Sequence, residues 1–170
     1  MISEKMQKAL NGQINKELFS SYLYMSMSMY FEQEDLSGAA SWMRVQALEE
    51  LTHAEKFMNY VNERGGMVEL EALEKPQVEW EAPLDAFKAA LEHERFISAS
   101  INDLVRLSRE ESDYMSDNFL QWYVAEQVEE EASVSEVIRM FSIAGKGGGG
   151  LLMIDRELGA RVFTPPAAAE

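Results

Sequence analysis

The chain has 170 residues, 46% of them hydrophobic and 26% charged, which suits one globular domain with a sizeable core and excludes a disordered tail. Fifteen basic residues against thirty acidic ones give a net charge of −15, which disfavours nucleic acid and anionic membranes as partners and favours cations, although solubility alone also explains it. Cysteine is absent, which excludes disulfides, thiolate metal ligands and cysteine nucleophiles and is compatible with a reducing cytoplasm.

The chain starts with a polar segment that lacks the apolar core of a signal peptide, and no apolar run approaches the roughly 18 residues of a membrane span. Long helices are predicted, because Pro76 and Pro83 are the only prolines before residue 165. Helix α1 is predicted from Glu4 to about Glu34 with Ser3 as its cap, and α2 from the cap Ser37 to about Arg64, where Gly65-Gly66 ends it. Helix α3 is predicted from Pro83 to about Glu110, and α4 from the cap Ser112 to about Ala144. A glycine-rich break over residues 145–150, a short α5 over Leu151–Leu158 and a tail from Thr164 follow.

The connections between these helices predict the topology. The α1–α2 and α3–α4 turns are a few residues each, so each pair forms an antiparallel hairpin. The α2–α3 connection is about 17 residues, which is unusually long for a compact domain. A connection of that length can cross the whole bundle and let α3 run parallel to α2. The prediction is an all-α, four-helix bundle with one long crossover.

Each of the four helices has an apolar stripe at helical spacing, and one glutamate interrupts each stripe near its middle. These four residues are Glu17, Glu50, Glu94 and Glu130. An ionised carboxylate inside an apolar core is costly unless it is paired or bound to metal, and the stripes contain no lysine or arginine. Four facing carboxylates also repel one another, and a bound cation resolves both costs.

The spacing of the polar residues divides the chain into two related halves. Glu17 is followed 33 residues later by Glu50-x-x-His53, and Glu94 is followed at the same interval by Gln127-x-x-Glu130. Di-iron carboxylate bundles use a Glu from each of two helices and Glu-x-x-His from each of the other two, so the second half departs from that pattern. Oxygen donors with one imidazole suit iron or manganese, and the lack of thiolates argues against structural zinc.

These residues lie in stretches through which the chain resembles the non-haem ferritins of bacteria and archaea over nearly its whole length. The stretches are Gln13–Glu17, Leu48–Ala54, Glu92–Glu94, Asn118–Gln127 and Glu129–Glu131. The resemblance implies a ferritin-like bundle over residues 1–144, with residues 145–170 forming a hinge, a short helix and a tail of the same domain.

The resemblance also implies a role for each polar residue. Glu17, Glu50 and His53 correspond to ligands of a first iron, with Glu50 as the bridge, and Glu94 and Glu130 correspond to ligands of a second, with Gln127 close by. A third iron site on the inner side corresponds to Glu49, Glu126, Glu129 and Glu130. Tyr24 corresponds to the tyrosine beside the di-iron centre, two helical turns from Glu17.

The activity implied is that of a cytoplasmic ferroxidase, which oxidises Fe(II) with dioxygen and deposits ferric mineral inside a homo-oligomeric shell of twenty-four subunits. No haem is expected, because haem-containing bacterioferritins have a methionine where this chain has Leu51 and a histidine where it has Glu130. No nucleic acid or membrane is expected as a partner. Asp113 and Asp117, one turn apart at the start of α4, either line an iron entry pore or stabilise the helix N-terminus.

Two other functions stay open at this point. One is a structural or partner-binding bundle that has lost catalysis. The other is a di-iron oxidase acting on an organic substrate, although the filled stripes leave no evident pocket for one. His93 adjoins Glu94 but lies about 100° away around the helix, so it is predicted not to bind metal.

Overall fold

The computed structural model of the protein describes residues 2–144 and 148–164, and these are helical over most of their length. The five helices are α1 (Glu4–Gln33), α2 (Ser37–Glu63), α3 (Pro83–Glu110), α4 (Tyr114–Ala144) and α5 (Gly148–Leu158). The predicted all-α class and the order of the helices are confirmed. Within the described ranges, no helix is both long and apolar enough to cross a membrane.

The predicted caps are partly confirmed. The Ser3 hydroxyl accepts the backbone N–H three residues on, at 3.0 Å, and caps α1. Ser37 is wrong as a cap, because it already lies in the first turn of α2 and Leu36 precedes the helix without a side-chain cap. Ser112 is also wrong, because its φ of 56° ends the preceding turn and the Asp113 carboxylate accepts the cap hydrogen bond at 3.2 Å instead.

The glycine run after α4 does not remain a break over the residues that the structure describes. Gly148 to Gly150 form the first turn of α5, while residues 145–147 and the tail from 165 lie outside the described ranges. A Cβ on Gly150 would lie 2.8 Å from both the Cβ and the carbonyl oxygen of Ala144. Glycine at this position therefore allows α5 to fold back closely against the end of α4.

Two apolar clusters fill the bundle. The Phe57 cluster contains Met6, Leu10, Ile14, Phe57, Tyr60, Val61, Ile97, Ile101, Leu104, Val105, Leu120 and Tyr123. The Phe87 cluster includes Tyr24, Met27, Phe31, Trp42, Met43, Ala47, Phe87, Ala90, Val134 and Val137, together with Ile154 and Leu158 of α5.

The order of the clusters along the chain gives the direction of each helix. α1 and α4 enter the Phe57 cluster first, whereas α2 and α3 enter the Phe87 cluster first. α2 therefore runs parallel to α3, and the segment between them crosses the length of the bundle as predicted. On all four helices the switch between clusters occurs at the interrupting glutamate, so the carboxyl groups form one polar layer between two apolar layers.

Candidate metal centre

The polar layer between the two clusters is almost completely closed to solvent. The side chains of Glu17, Glu50, His53, Glu94, Gln127 and Glu130 belong to residues that are between 0% and 6% exposed. Acidic residues are rarely buried to this degree unless something pairs with them. Glu50 and His53 lie one turn apart on α2, and Gln127 and Glu130 lie one turn apart on α4. Helix packing brings these two pairs together with Glu17 and Glu94.

Glu17, Glu50 and His53 form the first group, with one donor atom from each lying within 4.8 Å of the others. His53 Nδ1 lies 3.4 Å from Glu50 Oε2. That contact lacks hydrogen-bond geometry, and Oε2 of Glu50 and Oε2 of Glu17 are both buried without a hydrogen-bond partner. Two unpartnered carboxylate oxygens beside an imidazole nitrogen are a donor set that a divalent cation satisfies.

The side chain of Glu17 is oriented by a chain of hydrogen bonds that begins at Lys16. The Lys16 ammonium only donates, so the Ser100 hydroxyl accepts from it and donates to Gln13 Oε1, at 2.6 Å. This fixes the Gln13 amide so that its Nε2 donates to Glu17 Oε1 at 2.8 Å. The unpartnered Oε2 of Glu17 is thereby left as the oxygen that faces the first group.

Glu94 lies outside both groups that the described residues form within 4.8 Å. The Tyr24 hydroxyl donates to its Oε1, and Gln127 Nε2 donates to its Oε2 at 3.1 Å. Burial, followed by the charge of Glu130, raises the pKa of the Glu94 carboxyl to about 8, although the two hydrogen bonds oppose the rise. Tyr24 and Gln127 therefore both hydrogen-bond to the Glu94 carboxyl.

The same physical cause acts on the other buried acids. Burial raises the pKa of Glu17, and it raises that of Glu50 well above its ordinary value, helped by the charges of Glu94, Glu17 and Glu130. Without a cation, burial therefore favours the protonated form of these carboxyl groups. A metal ion that binds there replaces those protons, so metal affinity and pH are linked.

His53, Glu126 and Glu130 form a second group within 4.8 Å, and His53 belongs to both groups. His53 Nε2 lies 3.8 Å from Glu126 Oε1, on the side of the ring opposite Glu50. Gln46 Nε2 donates to Glu130 Oε2 at 2.8 Å and holds that carboxylate from across the bundle. One imidazole therefore lies between the buried layer and the partly exposed Glu126.

The remaining predicted residues of the third site are not gathered into either group. Glu129 is exposed on α4, one residue before Glu130. Glu49 forms an ion pair with Arg161, whose Nη2 lies 2.5 Å from its Oε2. His93 is set apart from both groups and shares a 2.7 Å hydrogen bond with the Ser20 hydroxyl, and burial lowers the pKa of its imidazole to about 4.

Three further residues contact the site and were not predicted from the sequence: Gln13, Gln46 and Arg161. A signal for Gln13 is present, because it precedes its partner Glu17 by four residues on the same helical face. Gln46 has the same spacing to Glu50 but donates to Glu130 on another helix. No comparable signal exists for Arg161, which is 112 residues from its partner.

Comparison with known proteins gives consistent results over nearly the whole chain. Residues 7–143 match the family model described as Ferritin-like domain. The bacterial non-haem ferritin of Bacteroides fragilis is 42% identical over 161 residues, covering 95% of this chain and 100% of that protein.

Two solved structures are also similar. A closed form of the Archaeoglobus fulgidus ferritin made by site-directed mutagenesis has a TM-score of 0.95 and 50% identity, covering 96% of this chain and 100% of its own. The open-pore ferritin of the same hyperthermophilic archaeon has a TM-score of 0.94 and 49% identity, covering 95% of this chain and all of its own.

Proposed function

The chain belongs to the ferritin family, in its bacterial and archaeal non-haem branch, and from this we propose that it is a ferroxidase that stores iron. Two ferrous ions bind as substrates in the polar layer, dioxygen oxidises them, and the ferric product is deposited as mineral inside a homo-oligomeric shell. The observation that carries the proposal is the pair of buried, unpartnered oxygens on Glu17 and Glu50 next to His53.

The side chains of the layer have distinct tasks in this reaction. We assign the first ferrous ion to Glu17, Glu50 and His53, and the second to Glu94 and Glu130, with Glu50 shared between the two ions. The carboxyl groups release their protons as the ions bind, because burial disfavours the ionised carboxylates and the bound cations stabilise them. Carboxylates favour Fe(III) over Fe(II), since hard anionic oxygens stabilise the higher charge.

Tyr24 and Gln127 act on the second position. Both donate hydrogen bonds to the Glu94 carboxyl, so they fix its orientation before iron arrives. Outer hydrogen bonds of this kind commonly change metal affinity or activity by about 10- to 100-fold when they are removed. Tyr24 is also buried and keeps its own proton, since burial raises the pKa of its hydroxyl well above 10.

The finer parts of the proposal rest on the family resemblance. We propose a third iron position at Glu49, Glu126, Glu129 and Glu130, a shell of twenty-four subunits without haem, a cytoplasmic location, and a single domain from residue 1 to residue 170. The pairing of His53 with Glu126 and Glu130 supports a route from the buried layer towards the third position.

Aerobic addition of Fe(II) to the metal-free protein tests the proposal. We expect rapid growth of ferric absorbance that is lost in Glu50→Ala, together with the mass of a closed shell and iron present as purified. A bundle that has kept its assembly but lost catalysis would show the shell mass and no absorbance faster than that of Fe(II) in buffer. An oxidase for organic substrates would oxidise iron without accumulating mineral.

The third position has its own test. Glu49→Ala combined with Glu126→Ala should leave two ions per subunit bound while changing the stoichiometry or the turnover. Three ions per subunit in the double variant would show that the third position has been assigned to the wrong residues.

A further inference from the structure

Arg161, which follows α5, places a permanent positive charge beside Glu49, a carboxylate assigned above to the third iron position. Its Nη2 lies 2.5 Å from Oε2 of Glu49, and the two side chains are 24% and 21% exposed. The guanidinium also lies over the indole of Trp42, with 4.5 Å between its central carbon and the ring centroid. The charged group is therefore seated between an aromatic face and a carboxylate rather than extended into solvent.

The surroundings of Glu49 are strongly negative without this arginine. Burial raises the pKa of the Glu49 carboxyl to about 7, and the nearby charges of Glu130 and Glu126 raise it as well, while Arg161 opposes the rise. The arginine thus supplies the compensating charge that a metal ion would otherwise supply. A metal ion bound to Glu49 would place a second positive charge close to the guanidinium, so the two cations repel each other and compete for the carboxylate.

In this position, one nitrogen of the Arg161 guanidinium makes no hydrogen bond. Its Nη1 is buried and has no hydrogen-bond partner. A buried donor without an acceptor costs free energy, which weakens the hold of this position on the arginine. The guanidinium is therefore placed well for charge and poorly for hydrogen bonding, and a better ligand for Glu49 can displace it.

Space for a displaced guanidinium lies next to Arg161. A cavity of about 340 Å³ borders Arg161 and is lined also by Glu136, Glu157, Met140 and Trp42. Glu136 and Glu157 offer carboxylates to a displaced guanidinium. Helix α5 can stay in place during this displacement, because Arg161 lies beyond its last residue, Leu158. Asp155 holds the helix by accepting the backbone N–H of Ala39 at 2.8 Å.

We propose that Arg161 is a built-in cation that closes the third metal position, so that an ion binds at Glu49 only by displacing the guanidinium into the neighbouring cavity. This inference rests on the third position of the proposed function. If Arg161 has this role, the two buried positions fill first, because an ion at the third position must compete with the Arg161 guanidinium. By thermodynamic linkage, an ion bound at Glu49 also weakens the contact between Arg161 and Trp42.

The first experiment measures binding of Zn²⁺, which does not undergo redox chemistry, to the metal-free shell by calorimetry. Arg161→Gln should tighten binding of the third ion by about tenfold and leave the first two ions unchanged. Arg156→Gln is the matched control, since it removes the same charge from an exposed position on the same segment. The variant with both Glu49→Ala and Glu126→Ala gives the baseline for ions bound elsewhere on the acidic surface.

The second experiment follows Trp42 alone, in a background with Trp80→Phe and Trp122→Phe, because the chain contains three tryptophans. Its fluorescence should change as the third Zn²⁺ binds, but not as the first two bind. Glu49→Gln should produce the same change without metal, since it releases the guanidinium. The third ion should have no effect on Trp42 fluorescence in Arg161→Gln.

The outcomes separate the two claims. A third ion that binds equally to wild type, Arg161→Gln and Arg156→Gln would overturn the role of Arg161 and leave the third position intact. A third ion that binds without changing Trp42 fluorescence, where Glu49→Gln does change it, would also overturn it, because the guanidinium would not have left its contact with Trp42. If neither wild type nor Arg161→Gln binds a third ion above the baseline, the third position itself is wrong and the inference falls with it.

Discussion

The buried carboxyl of Glu94 makes the stability of the metal-free fold depend on pH in an unusual direction. Its pKa is about 8 in the folded chain against an ordinary 4.5. Below pH 4.5 both the folded and the unfolded chain hold this proton. Between pH 4.5 and 8 the unfolded chain has released the proton that the folded chain keeps, so the free energy of unfolding falls as the pH rises. Above pH 8 this contribution no longer changes.

The size of the effect follows from the interval between the two pKa values. Each pH unit of that interval corresponds to about 1.4 kcal/mol, so Glu94 alone lowers the free energy of unfolding by about 5 kcal/mol over the range. A domain has only about 5–15 kcal/mol of stability in total. Glu17 and Glu50 act in the same direction, since their pKa values are also raised. The metal-free chain is therefore expected to be less stable above neutral pH than at pH 4.5.

Urea unfolding followed by circular dichroism, in EDTA and at fixed subunit concentration from pH 4.5 to 8.5, measures this slope. Glu94→Gln removes the titrating group while keeping its shape and should flatten the slope. Glu63→Gln, at the exposed end of α2, controls for the change in net charge. Saturating Zn²⁺ should reverse the slope, because the ion then competes with protons for the same oxygens. Equal slopes in Glu94→Gln and Glu63→Gln would refute the reasoning.

Three further predictions concern the support of the layer, the start of α4 and the repeat between the two halves. Ser100→Ala should release the Gln13 amide and weaken Zn²⁺ binding at the first position by about tenfold in calorimetry, whereas Ser108→Ala, on the same helix, should not. Asp117→Asn should slow iron uptake at low Fe(II) and low salt, and Arg109→Gln should speed it, because Arg109 pairs with Asp117 at 3.2 Å; equal rates for all three proteins would leave Asp117 as a helix-end residue only. Gln127→Glu should lower the melting temperature of the metal-free protein, because the new carboxyl group lies beside Glu94 and Glu130. An unchanged melting temperature would contradict this expected repulsion.

The sequence predicted the layer well because helical periodicity alone places it. Glu17, Glu50, Glu94 and Glu130 were found by counting along single helices, and all four are buried as expected. The long crossover was predicted separately, from the length of the α2–α3 connection. These features depend only on residues within one helix or one loop.

Features that depend on how the helices cross were not predicted. Gln46 supports Glu130 across the bundle, and Ser100 fixes Gln13 from a helix more than 80 residues away in sequence. The cap of α2 was missed because the turn before it passes through Asp35 at a φ of 57°, which moves the helix start by one residue. Periodicity contains no information on such contacts between helices or on turn geometry.

The two halves of the chain repeat in sequence, yet the site they build is not symmetric. Where the first half has Glu50, the second has Gln127, which donates both to Oε2 and to the backbone carbonyl of Glu94. A carboxylate there would replace a donor with an acceptor facing two acceptors, and it would add a fifth acidic group beside Glu94 and Glu130. In the metal-free layer, burial and the neighbouring charges already raise the pKa values of Glu17, Glu50 and Glu94. Restoring the repeat in Gln127→Glu should therefore destabilise the metal-free fold, and an added divalent ion should recover more stability in this variant than in wild type.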